Sequence, residues 1–234
     1  ILAGAMELLR SRRRESCGMQ LPALSMDEFW DKLPFRPTAA QTRAVSEALA
    51  DMRSGTPMNR LLQGDVGSGK TLVAAALIWQ TVKCGHQAAF MAPTEILAEQ
   101  HFQTLSDMLE PYGVRVVKLT GSMTAAQKRK TVENLTLGQA DVAVGTHALI
   151  SSGVSFRSLA LVVTDEQHRF GVDQRSALTG KGTHPHVLVM SATPIPRTLA
   201  LIIYGDLDIS VLDELPPGRT PVEPDSLSLR FRRR

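Results

Sequence analysis

From Leu33 almost to Leu212, short apolar runs alternate with amphipathic stretches of helical period, and that alternation confines the chain to an α/β fold on a parallel sheet. The expected strands are Arg60–Gln63, Gln87–Met91, Arg115–Leu119, Asp141–Val144, Leu159–Thr164, Val187–Met190 and Ile209–Leu212. Asp141–Val144 and Leu159–Thr164 are almost continuously apolar, as strands covered on both faces must be. The segments between them carry helix signals. Thr38 and Gln41 have capping-box spacing for a helix to about Ser54, closed by Gly55 and Pro57. Lys70 to about Cys84 is the next helix, and Thr94 caps another that runs to about Glu110, before Pro111. Thr124 and Gln127 repeat the box before a helix to about Thr136, and Pro194 suits the first turn of one ending near Tyr204. The expected architecture is three-layered, with helices on both faces of one parallel sheet.

A chain of 234 residues, 43% hydrophobic and 21% charged, suits one large α/β domain with extensions or two small domains. No apolar run approaches the roughly 18 residues of a membrane span. The opening ILAGAMELLRSRRR places its basic cluster after the apolar stretch, the reverse of a secretory signal, so the expectation is a non-exported chain with no membrane partner. Cys17 and Cys84 have no metal or redox spacing, which points to a reducing cytoplasm. The net charge of +3 is local: without the four arginines of the terminal RFRRR it becomes −1. A basic face for nucleic acid is therefore not established by charge, and both arginine clusters read as solvated ends. Aromatic residues are 5% of the chain, too few for a single-strand stacking platform. Residues 1–33 read as a leader with a short helix near Ala5–Arg14, 34–215 as the domain, and 216–234 as an exit linker with a basic tail.

Three motifs carry chemistry. Gly64-Asp65-Val66-Gly67-Ser68-Gly69-Lys70-Thr71 fits G-x-x-x-x-G-K-[ST] between an expected strand and helix. Glycines let the backbone turn its N–H groups onto phosphates, and the helix start adds a positive dipole end. Lys70 is expected to reach the β- and γ-phosphates and Thr71 to ligate Mg²⁺. Asp165-Glu166-Gln167-His168 leaves the strand Leu159–Thr164, where such a site needs a carboxylate for the metal. Asp165 is the candidate for that, and Glu166 for orienting and deprotonating an attacking water; two adjacent acids there could also cap the next segment. The cradle and the acidic pair are expected at the tips of neighbouring strands. Ser191-Ala192-Thr193 leaves Val187–Met190 and by itself reads as a turn. His184 and His186 have no carboxylate or cysteine at ligand spacing, so a metal site there is rejected.

The order P-loop, DEQH, SAT resembles the first motor domain of superfamily 2 helicases. GDVGSGKT, APTEILAEQH, VGTHALI, DEQHRFGVDQR, SATPIPRTLAL and DELPPGRTPV are similar to the RecG family almost word for word, over about Leu33 to Val222. A transcription-repair coupling translocase shares much of the pattern but resembles DEEQRFGV where this chain has Asp165-Glu166-Gln167-His168. The resemblance implies a RecA-like P-loop fold, ATP and Mg²⁺ as cofactors, and forked or branched DNA as partner. It implies adenine recognition by the Leu33–Gln41 segment, with Phe35 beside the base and Gln41 bonded to it, although Gln41 is equally a capping partner. It assigns Pro93, Thr94, Glu95, Thr120, Gly121, Gly145, Thr146 and His147 to segments that track the DNA backbone, positions that also suit ordinary caps. Gln167, His168, Ser191 and Thr193 resemble residues that couple nucleotide state to DNA movement.

The family adds a wedge domain and a second RecA-like domain. Neither resembles anything in this sequence, and EPDSLSLRFRRR does not read like the strand opening a second motor. The expectation is thus the ATP-binding part of a helicase. The other readings are a nucleotide- or DNA-binding module without turnover, and the coupling translocase. A transporter ATPase would need an LSGGQ-like segment, which is absent from the sequence.

Overall fold

The computed structural model describes residues 19–22, 24–165, 177–193 and 207–214. The elements are α1 (Asp27–Asp31), α2 (Ala39–Arg53), β1 (Asn59–Gly64), α3 (Lys70–Lys83), β2 (Gln87–Met91), α4 (Glu95–Leu109), β3 (Val116–Leu119), α5 (Ala125–Leu137), β4 (Val142–Gly145), β5 (Leu159–Thr164), β6 (His186–Ser191) and β7 (Asp208–Leu212). Short 3-10 turns follow α4 at Glu110–Tyr112 and β4 at His147–Ile150. Each expected strand is present within a residue or two of its bounds. The expected helices near Ala5–Arg14 and after Pro194 lie outside the described residues.

The seven strands form one sheet in the order β3-β4-β2-β5-β6-β1-β7, and every pairing is parallel. Alternate residues face opposite layers. Phe90, Val144, Val163 and Met190 join α2, α3 and α4 in the larger core, while Ala89, Met91, Ala143 and Val162 join Leu135 of α5 and Leu149 in a second core on the other face. That is the expected three-layer α/β arrangement.

The helices begin where local chemistry favours it. Thr38 accepts from the Gln41 N–H while the Gln41 side chain accepts from the Thr38 N–H, and Thr124 with Gln127 does the same at α5. Each reciprocal pair satisfies two N–H groups that a helix start leaves open. Pro111 ends α4 by lacking an N–H for the next helical bond.

The described residues before Leu33 pack on the body. Leu21 and Phe29 are fully buried in the larger core. Phe29 stacks on Tyr112 and tilts against Trp79, and the Tyr112 hydroxyl donates to the Phe29 carbonyl at 2.6 Å. The Leu21 N–H donates to Met52 O at 3.1 Å. This strip covers apolar surface of α2 and α3, which is why a segment without helix or strand period still orders. Among the described residues no helix is long and apolar enough to cross a membrane.

Candidate active site

The C-terminal edge of the sheet gathers the chemistry-bearing residues. At the tip of β1 the chain turns through Gly67 and Gly69, both left-handed with φ of 86° and 84°, a conformation that penalises any residue with a Cβ. The N–H groups of Gly67, Gly69 and Thr71 have no protein acceptor among the described residues, so they stand open to an anion at the start of α3. Lys70 Nζ folds back over the loop and donates to Gly64 O at 2.7 Å and Asp65 O at 2.9 Å. Asp65 and Val66 form the exposed outer turn, while Ser68 is buried with its hydroxyl unpaired among the described residues.

Gln41 supports this loop from behind. Its Nε2 donates to Ser68 O at 2.9 Å, and its Oε1 accepts from the Thr38 N–H at 2.9 Å. One side chain thus caps α2 and clamps the phosphate loop, a link that spacing along the sequence did not reveal. Only one Nε2–H remains for anything else. Phe35 is exposed a few residues upstream.

Asp165 follows β5 on the same edge, its N–H donating to Met91 O at 3.0 Å. The strand order corrects one expectation: β1 and β5 are not neighbours, because β6 pairs with both. Lys70 and Asp165 therefore spring from strands two spacings apart, roughly 10 Å. Residue order along a chain specifies strands but not their neighbours, and a central β6 is what the crossovers build. Ser191, at the tip of β6 and level with Gln63 of β1, sits between cradle and carboxylate. Its hydroxyl accepts from the Thr193 N–H at 3.2 Å and lies 3.1 Å from Thr193 Oγ1, so the SAT segment forms its own compact turn there. Glu166, Gln167 and His168 lie outside the described residues.

A residue missed in the sequence completes this group. His101, on α4, meets Asp165 with Nε2 to Oδ2 at 2.6 Å, both side chains being nearly buried. Its ring also packs on Phe90 with centroids 4.5 Å apart. The available signal was its place three residues after Ala98 and four before Leu105, on the stripe of α4 that faces the core. A histidine on such a stripe needs a polar partner.

The other half of the edge is less open. Thr94 Oγ1 accepts from the Leu97 N–H at 3.2 Å and caps α4. Thr120 and Thr146 are buried, with Thr120 Oγ1 near Ser122 Oγ and Thr146 Oγ1 unpaired among the described residues. Both follow directly on the ends of β3 and β4. Gly121 and His147 are exposed and Pro93 half-buried. Glu95 Oε1 accepts from the Ser122 N–H at 3.0 Å. The Ser122 side chain, with the Ser122 and Gly121 N–H groups and the His147 charge, holds the Glu95 carboxyl below its ordinary range.

His186 is a core residue. Nδ1 accepts from the Met58 N–H at 2.9 Å and Nε2 lies 2.7 Å from Met19 O, so both ring nitrogens are used.

The DEAD/DEAH box helicase family matches residues 38–202. The ATP-dependent DNA helicase RecG of Aquifex aeolicus is 55% identical over 218 residues, covering 90% of this chain and 28% of that protein. RecG of Bacillus subtilis is 49% identical over 221 residues, covering 93% of this chain and 32% of its own length. A solved structure of RecG bound to a three-way DNA junction superposes with a TM-score of 0.81 at 45% identity, over 94% of this chain and 30% of that one. The DEAD-box helicase Mss116 shares the fold at a TM-score of 0.64 and 18% identity. The chain thus spans about a third or less of the length of these RecG relatives.

Proposed function

Because the chain belongs to the DEAD/DEAH box helicase family, we propose that it is the ATP-binding motor domain of a RecG-like DNA helicase that acts on forked or branched DNA alongside a wedge domain and a second RecA-like domain. The observation that carries this is the shared edge of β1, β6 and β5, which bears the open N–H groups, Lys70 and Asp165. The three-way DNA junction held by the similar RecG structure supports branched DNA as the substrate. Its work would be in the bacterial cytosol, at the nucleoid.

The amides of Gly67, Gly69 and Thr71 would receive the phosphates, and Lys70 would exchange the Gly64 and Asp65 carbonyls for phosphate oxygens. Thr71 and Asp165 offer the hard oxygen donors that Mg²⁺ takes, and Asp165 Oδ1 has no protein partner among the described residues. Bound magnesium would neutralise phosphate charge. Gln41 has one N–H left for the adenine, and the exposed ring of Phe35 would lie against the base. Glu166 would orient and deprotonate the attacking water. Ser191 and Thr193, with Gln167 and His168, would relay the state of the cleft to DNA held by Pro93, Thr94, Gly121 and His147. Thr120 and Thr146 would shape that surface from below.

A second motor domain would add arginines to the γ-phosphate, an effect of roughly 10³- to 10⁵-fold in rate. The chain by itself is therefore expected to bind ATP weakly, hydrolyse it slowly and not unwind DNA. The test is binding of a fluorescent ATP analogue together with turnover. Lys70→Ala is expected to lose binding by about 100-fold or more, about 2.7 kcal/mol. Glu166→Gln is expected to keep binding and stop turnover. Unchanged binding by Lys70→Ala would sink the reading, and normal turnover by Glu166→Gln would remove that residue's role.

A further inference from the structure

Among the described residues, the carboxylate of the metal-ligand candidate Asp165 is held by the side chain of His101, which comes from α4. An ionised carboxylate only accepts hydrogen bonds, so His101 Nε2 is the donor in the 2.6 Å contact with Oδ2. The imidazole cannot swing away freely, because it packs on the buried ring of Phe90. Both partners are fixed at the backbone as well: Asp165 N–H is bonded to Met91 O, and α4 is capped by Thr94. The contact therefore sets the rotation of the carboxylate and leaves Oδ1 as its open oxygen.

We propose that His101 is a positioning residue for the magnesium ligand Asp165, and that through it α4, whose first turn fronts the DNA-facing edge, is mechanically tied to the metal. The inference rests on the reading of Asp165 as a metal ligand. A group that hydrogen-bonds a metal-binding side chain orients it, and its loss typically costs about 10- to 100-fold in metal affinity. A residue that merely glued α4 to the sheet would change overall stability and leave the metal dependence alone.

The experiment titrates Mg²⁺ against the chain with fluorescent ADP, alongside ADP binding in EDTA and thermal unfolding. His101→Phe keeps a ring against Phe90 and removes the donor. It is expected to raise the half-saturating Mg²⁺ concentration about tenfold while binding in EDTA stays within about twofold. His101→Gln, which restores an N–H, is expected to recover most of the shift. His101→Met, without a donor, carries the same expectation as His101→Phe and replaces it if the ring variant does not fold. A wild-type Mg²⁺ curve for the donor-less variant overturns the inference, as does an equal loss with and without metal. Asp165→Asn separates the two layers of the argument. If Asp165→Asn shifts the Mg²⁺ curve and His101→Phe does not, the positioning role alone falls. If Asp165→Asn leaves the curve unmoved, the metal-ligand reading falls and the inference with it.

Discussion

At the tip of β1 the N–H groups of Gly67, Gly69 and Thr71 have no protein acceptor among the described residues, whereas at the tips of β2, β3 and β4 several polar groups answer one another. Thr94 caps its own helix, Glu95 takes the Ser122 N–H, and Lys128 Nζ donates to Gly121 O at 2.6 Å. Under the proposed function, the first half of the edge would be preorganised for a small, highly charged ligand that must find its donors waiting. The second half is internally satisfied and offers mainly shape and a few exposed groups, which suits a long polymer held by many weak contacts. Between the two halves, His101 and Asp165 form a direct side-chain link.

If that contrast is right, equivalent insults should have different consequences on the two sides. The largest effect is expected for Gly145→Ala, because a Cβ there would meet the backbone carbonyl oxygen of Leu119 on β3, which has no freedom to retreat. About 3 kcal/mol of stability should be lost. Denaturant unfolding would show it, and nucleotide affinity of the folded fraction should be unchanged. A stable Gly145→Ala that binds nucleotide poorly would reverse the assignment of the two halves. Thr94→Ala should cost less, about 1 kcal/mol for a lost cap, again read by unfolding. If Thr94→Ala instead weakens DNA binding with no loss of stability, the threonine is a contact first and a cap second.

The smallest expected effect is a pH dependence of the Glu95 tie. Because hydrogen bonds from Ser122 lower the folded-state value, the tie favours the fold above the ordinary carboxyl value of 4.5 and is lost as pH falls through the lowered one. Protection of the Ser122 amide from hydrogen exchange should therefore drop on the acid side only. Protection that stays flat down to about pH 3 would mean that the carboxylate is not the acceptor in solution.

Local chemistry was the legible part. The capping boxes at Thr38 and Thr124, the P-loop and the strand spans all depend on residues a few positions apart, and the structure holds them within a residue or two. What escaped depends on partners far along the chain. His101 and Asp165 are 64 positions apart, Gln41 and Ser68 are 27 apart, and the insertion of β6 between β1 and β5 is a property of crossovers. The stretch around Leu21 has no period at all, so only its contacts reveal that it belongs inside.

That stretch has a practical bearing on where the unit can be cut. Met19 O lies on the buried imidazole of His186, Pro22 O is bonded by Gln80, and Phe29 packs against both Trp79 and Tyr112. A protein started at Leu33, as the motifs alone would invite, would leave an indole and a phenol facing solvent and strip the Nε2 partner from an enclosed histidine. Such a trimmed version should come out of cells as a sticky, easily proteolysed product, even though every nucleotide motif would still be present.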